Sequence, residues 1–162
     1  MAITIGDKLP EATLLQMGAS GPEQVTLASL VSGRKVALFG LPGAYTGTCT
    51  SAHLPSFIRS MDALKEKGVE EVICVAANDP YVMDAWGKST GAVEAGIKMM
   101  ADANGAFTKS MGLNYDNPAV GFYGRSRRYA CYADNGEIKV LNIEESPGVC
   151  ETSAGETLAE AI

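Results

Sequence analysis

Cys49 stands where a thiol becomes a nucleophile. It ends the run Leu41-Pro42-Gly43-Ala44-Tyr45-Thr46-Gly47-Thr48-Cys49, which follows an apolar segment, Lys35 to Phe39. After it, from Leu54 to Lys67, apolar residues recur at helical spacing. The run is therefore a strand-to-helix turn, with Cys49 in the first turn of the helix. Unpaired backbone N–H groups and the positive end of the helix dipole favour thiolate over thiol at such a position. Pro42 stiffens the loop and shields the sulfur. Thr46, three residues before Cys49, places a hydroxyl where it could bond the sulfur or an oxygen bound to it. His53 follows Cys49 by four residues on the same side of the helix, which admits a Cys–His pair or a structural role. An ordinary buried cysteine is the commoner state of a thiol, but here proline, threonine and a helix start coincide.

The elements that must hold this turn are legible in outline. Lys35 to Phe39 and Val69 to Ala77 read as strands buried on both faces, and Ile97 to Ala101 as a third. Between them lie the Cys49 helix, kinked near Pro55 and closed by Gly68, and a helix from Tyr81 to Ser89 capped by Asn78-Asp79-Pro80. Met1 to Gly6 and Ala12 to Met17 alternate like an N-terminal strand or hairpin, Gly18 to Pro22 is a turn cluster, and a short helical piece lies near Leu30. Ala106 to Gly112 reads as a short helix. Arg128 to Ala133 and Glu137 to Ile143 flank Asp134-Asn135-Gly136, a hairpin signal, and Gly155 to Ile162 is a C-terminal helix. Strands alternating with helices and then a late hairpin predict an α/β fold, a central mixed β-sheet flanked by helices, in one domain over residues 1–162.

Composition narrows the function. The chain has 162 residues, 46% of them hydrophobic, and a net charge of −6. The acidic balance argues against nucleic acid or an anionic membrane as partner. No apolar segment approaches the roughly 20 residues that span a bilayer, and Met1 to Asp7 lacks the form of a signal peptide. A cytoplasmic protein is expected, or an organellar one if a transit peptide has been removed. Cys49, Cys74, Cys131 and Cys150 are too widely spaced for a C-x-x-C or zinc pattern, so a metal site is not expected, and a thiol that carries a redox change on its own sulfur needs no other cofactor.

The string Pro42-x-x-x-Thr46-x-x-Cys49 resembles the peroxidatic signature of peroxiredoxins. The wider stretch through His53 and Pro55 is similar to the type II/type 5 branch of the redoxin family. Gly47 departs from it, since the branch usually has proline there. Asn78-Asp79-Pro80-Tyr81-Val82-Met83 with Trp86 is similar to a second stretch of the same branch, where packing or a dimer contact is the expected role. The resemblance implies a thioredoxin-like fold, a homodimer, and a thiol-dependent peroxidase reducing hydrogen peroxide and organic hydroperoxides. Cleaving an O–O bond needs donors for the oxygens, and a guanidinium serves both thiolate and leaving group. Arg125, Arg127 and Arg128 are available. Strand alternation puts the first two on one face and Arg128 on the other, without choosing. The resemblance selects Arg128, directly before Tyr129-Ala130. The implied catalytic set is Cys49 as nucleophile with Thr46, Arg128 and Pro42.

A sulfenic acid on Cys49 must then meet another thiol. Cys74 matches the resolving position of plant type II enzymes but sits in an apolar strand. Cys150 lies in a polar C-terminal loop near the resolving region of animal type 5 enzymes. Glutathione or glutaredoxin could instead attack directly, with thioredoxin as reductant of an internal disulfide. All three routes stand at this stage. Cys131 reads as packing. The rival readings are a thiol–disulfide oxidoreductase, for which Ala52 stands where a second cysteine is needed, and a peroxide-sensing switch or partner-binding module without turnover.

Overall fold

The computed structural model describes residues 1–162. In chain order the strands are β1 (Thr13–Gly18), β2 (Gly21–Thr26), β3 (Lys35–Gly40), β4 (Glu71–Ala76), β5 (Lys98–Ala101), β6 (Asn114–Asn117), β7 (Phe122–Ser126), β8 (Tyr129–Asp134) and β9 (Glu137–Ile143). The helices are α1 (Leu27–Val31), α2 (Leu54–Glu66), α3 (Pro80–Thr90), α4 (Ala92–Ala95), α5 (Ala106–Ser110) and α6 (Gly155–Ala161). Seven strands form one sheet in the order β2-β1-β5-β4-β3-β8-β9, with β6 and β7 paired apart from it. β3 runs parallel to β4, and β4 to β5, while β8 lies antiparallel to β3. The sheet is mixed and helix-flanked, as the alternation of elements predicts.

Strand periodicity sorts the core into two layers. Ala37, Phe39, Cys74 and Ala130 face α2, α3 and α6 together with Leu54, Phe57, Trp86 and Leu158. Val36, Leu38, Ile73 and Cys131 face the other way, onto Leu27, Leu30 and Phe107. β3 and β4 are covered on both sides, which is why their sequences run apolar without alternation. The glycine that closes α2 has φ +91°, the left-handed C-cap expected of Gly68.

Three expectations change. Met1 to Gly6 is not a strand: Asp7 draws Thr4 into a turn through the Thr4 backbone N–H (2.9 Å), Gly6 takes φ +94°, and the N-terminal hairpin is β1–β2 instead. The irregularity at the start of the Cys49 helix precedes Pro55. Cys49–His53 forms one π turn in which the Leu54 N–H reaches the Cys49 carbonyl, and Pro55 sits in the tolerated first turn of α2. Finally, the arginine segment is not one strand. Arg125 belongs to β7, while Arg127 and Arg128 lie in the bend before β8, so alternation does not govern their directions.

Candidate active site

The site forms where β3 leaves the sheet. At Gly40 a Cβ would collide with the Tyr129 ring, so glycine lets the chain turn closely over β8. The turn is then braced at successive points. The Asn78 side-chain carbonyl accepts from Ala44 N (2.9 Å), and the Thr46 hydroxyl donates to the Gly43 carbonyl (2.7 Å). Arg125 donates to the Pro42 carbonyl (2.9 Å) while lying over the Phe122 ring at 5.0 Å. Tyr45 takes φ +63°, an uncommon conformation for a non-glycine residue, held by this bracing. The helix then begins, with Thr50 N bonded to the Thr46 carbonyl at 3.0 Å. Trp86 packs beneath and donates to the Thr50 hydroxyl (3.2 Å), whereas Tyr81 on the same helix is exposed.

Cys49 is only 1% exposed, and Arg128, 2% exposed, reaches its sulfur from the β7–β8 bend. One guanidinium nitrogen, Nη2, lies 3.4 Å from Cys49 Sγ and 2.9 Å from the Pro147 carbonyl. The other, Nη1, lies 3.0 Å from His53 Nδ1, and Nε has no acceptor. Burial, reinforced by the Arg128 charge, holds the His53 pKa down at about 3. The imidazole is therefore neutral: its Nε2–H donates to the Ser153 carbonyl (3.0 Å), leaving Nδ1 as the acceptor for Arg128. No carboxylate pairs with this buried guanidinium. The neighbours of this buried cation are thus a sulfur, a carbonyl and a neutral imidazole, which leaves its charge free to meet negative charge arriving in the site. A cleft of about 460 Å³ opens beside it, with Pro42, Thr46, Gly47, Val120, Phe122 and Arg128 in its walls.

The other thiols differ. Cys74 is fully buried in β4 between Phe39 and Met99, and burial, then the nearby Cys49, pushes its pKa well above the usual thiol value. Cys131 lies on the opposite face, pushed up to about 12 by burial. Cys150 is half-buried in the loop after β9, its pKa raised by desolvation. Pro42, Thr46, Cys49 and Arg128 are thus brought together, and Cys74 lies behind the site within the core. Sequence reasoning missed the Asn78 side chain, whose Asn-Asp-Pro context signalled only a helix cap. It singled out Cys150 in the loop from Glu144 to Ser153 but missed that loop's contacts with the site, which are made through backbone carbonyls.

The Redoxin family model matches residues 4–158. The chain belongs to the peroxiredoxins. It is 43% identical over 164 residues to Peroxiredoxin-2E-2, chloroplastic, of Oryza sativa subsp. japonica, covering 99% of this chain and 72% of that protein. To Peroxiredoxin-2C of the same plant it is 42% identical, over 99% and 98% of the two chains. The solved structure of reduced Prx3 from Vibrio vulnificus in complex with H2O2 superposes with a TM-score of 0.91 at 43% identity, covering 98% of each chain. These relationships place the chain in the type II branch, with the thioredoxin-like fold, and make it a thiol-dependent peroxidase. No helix of this peroxiredoxin is long and apolar enough to cross a membrane.

Proposed function

We propose that Cys49 is the peroxidatic nucleophile, with Arg128 and Thr46 ordering the peroxide and Pro42 shaping the pocket. The observation that carries this reading is the buried, carboxylate-free Arg128 guanidinium 3.4 Å from the Cys49 sulfur. The thiolate attacks one peroxide oxygen, an S–O bond forms, the O–O bond breaks, and the leaving oxygen departs as water or alcohol after taking a proton. Charge grows on that oxygen beside Arg128, whose unpartnered Nε is a further donor. Thr46, its own hydrogen committed to Gly43, orients an oxygen by accepting from a peroxide O–H. The cleft beyond Gly47, with Val120 and Phe122 in its wall, suits organic hydroperoxides as well as hydrogen peroxide.

The sulfenic acid is resolved by Cys150. Its thiol attacks Cys49, an S–S bond forms, water leaves, and thioredoxin or glutathione with glutaredoxin returns both thiols. Cys150 is half-buried on a loop that touches Arg128, whereas Cys74 is enclosed and held protonated. One thioredoxin-like peroxiredoxin domain over residues 1–162 carries the whole cycle. A homodimer is proposed as well, since Tyr45 and Tyr81 leave aromatic surface exposed near the active-site turn. Four free cysteines suit a reducing compartment, the cytoplasm or an organelle, and relatives include chloroplastic and mitochondrial proteins.

Intact-mass analysis and peptide mapping after one equivalent of hydrogen peroxide tests both steps. A loss of two hydrogens with Cys49 linked to Cys150 is expected. A lasting added oxygen on Cys49, converted to a glutathione adduct by glutathione, would replace the Cys150 step with an external thiol. An unmodified Cys49 would overturn the nucleophile assignment.

A further inference from the structure

Glu144 is a buried acid that pairs with no cation, and it lies at the hinge of the loop covering Arg128. It is 5% exposed. Its backbone ties it to the arginine segment: Glu144 N donates to the Arg128 carbonyl (2.9 Å), and Arg127 donates to the Glu144 carbonyl (3.1 Å). Its side chain reaches the far end of the same loop. One carboxylate oxygen accepts from Glu151 N at 2.7 Å, Ser153 N at 2.8 Å and the Ser153 hydroxyl at 3.0 Å. The residues between are thereby closed into a strap, and two of its carbonyls lie on the site. Pro147 accepts from Arg128 Nη2 (2.9 Å), and Ser153 accepts from His53 Nε2 (3.0 Å), whose Nδ1 accepts from Arg128 Nη1.

We infer that Glu144 is a positioning residue: it fastens the strap that aims the Arg128 guanidinium at Cys49, and it retains Cys150, which the strap carries, beside the site. Three donors converging on one oxygen call for an acceptor of full glutamate reach. An arginine side chain is otherwise free to rotate, and an error of about 1 Å in a transition-state donor costs about a hundredfold in rate. In the strapped state both terminal nitrogens have fixed acceptors, so the donor direction towards sulfur is set before peroxide arrives. The functional part of the inference rests on the peroxidase reading. The positional part does not.

The test compares Glu144→Gln, which keeps the reach and an accepting oxygen, with Glu144→Asp, which keeps the charge but is too short, in the full chain. Each is assayed for its rate with hydrogen peroxide. The pH profile of Cys49 alkylation by iodoacetamide is then taken in a Cys150→Ser background. Asp is expected to slow peroxide reduction about tenfold to a hundredfold and to move the alkylation profile to higher pH. Gln is expected to stay near the parent in both. In the Cys150-containing protein, Asp should also make Cys150 react faster with a maleimide. An Asp variant matching the parent in rate and profile, or a Gln variant impaired as much as Asp, would overturn the inference. If the parent consumes no peroxide while the alkylation profile still follows residue 144, the positioning stands and the peroxidase assignment alone falls.

Discussion

The two halves of the active site are built in opposite ways. The thiol half, Pro42 to His53, is contiguous: a strand, a braced turn and a π turn deliver Pro42, Thr46 and Cys49 within eight residues of chain. The arginine half is assembled from afar. Arg128 meets His53 across 75 positions and Cys49 across 79, and the strap meets His53 across 100. The first half depends mainly on the backbone geometry between β3 and α2, with Asn78 and Arg125 bracing the turn from other elements. The second depends on hydrogen bonds between segments that only the folded sheet brings together, so it is the half that substitution or oxidation can loosen. Chemistry needs both, but their failures should look different.

The largest effect tests the thiol half. Cys49→Ser should abolish peroxide consumption while leaving the thermal midpoint close to the parent, because the side chain is nearly isosteric. Retained turnover would move the nucleophile elsewhere. Next comes the arginine. Arg128→Ala should lower the second-order rate with peroxide by about 10²–10³-fold, the usual cost of removing one oriented donor from a developing oxyanion. Arg128→Lys should recover little, since an ammonium cannot serve sulfur, Pro147 and His53 from one rigid fork. A Lys variant as fast as the parent would reduce the role of Arg128 to bulk charge.

The same contrast explains what sequence could show. Pro42, Thr46, Cys49 and the helix start are neighbours in the chain, so their spacing alone locates a reactive thiol. The mixed sheet is equally legible, because doubly buried strands such as β3 and β4 are continuous apolar runs. Arg128 is not legible from periodicity: it lies in a bend between β7 and β8, and alternation misassigns its direction relative to Arg125, which also reaches the active-site turn. β6 is four residues long and polar, β7 is broken by Gly124, and Pro118 lies in the turn between them, so their strand character is weak and no reading from pattern assigns them. The strap acts through the carbonyls of Pro147 and Ser153, groups that every residue possesses, and so its sequence carries no mark of the role.

A smaller effect comes from His53, which joins the halves. Its pKa lies at about 3 in the folded chain against 6.5 as the ordinary value, so between those limits the unfolded chain binds a proton that the native one refuses. The stability from keeping it neutral is fully present above pH 6.5 and is lost as pH falls towards 3. Denaturant unfolding of the parent should therefore weaken on acidification more steeply than that of His53→Gln, by at most about 1.4 kcal/mol per pH unit. Carboxylates titrate in both proteins and cancel in the difference. Parallel curves would mean that the ring is not held neutral by its burial.

The smallest effect returns to the thiol half and its departure from the family pattern. Gly47 begins the helix, its φ lies outside the left-handed region, and a Cβ there would meet nothing within 4 Å. Proline is tolerated at a first helical position, where its missing N–H is one that the helix leaves unpaired anyway. Gly47→Pro should therefore stabilise the chain by about 0.4–1 kcal/mol through the unfolded state, a rise of about 1–4 °C in thermal midpoint for a chain of this length. The rate with hydrogen peroxide should stay within about twofold of the parent, because a side chain at residue 47 meets no atom of Arg128 or the strap within 4 Å at its Cβ. A larger loss of rate would show that the contiguous half also needs freedom at its helix start, and that its geometry is less completely set by β3 and α2 than the arginine half is by its hydrogen bonds.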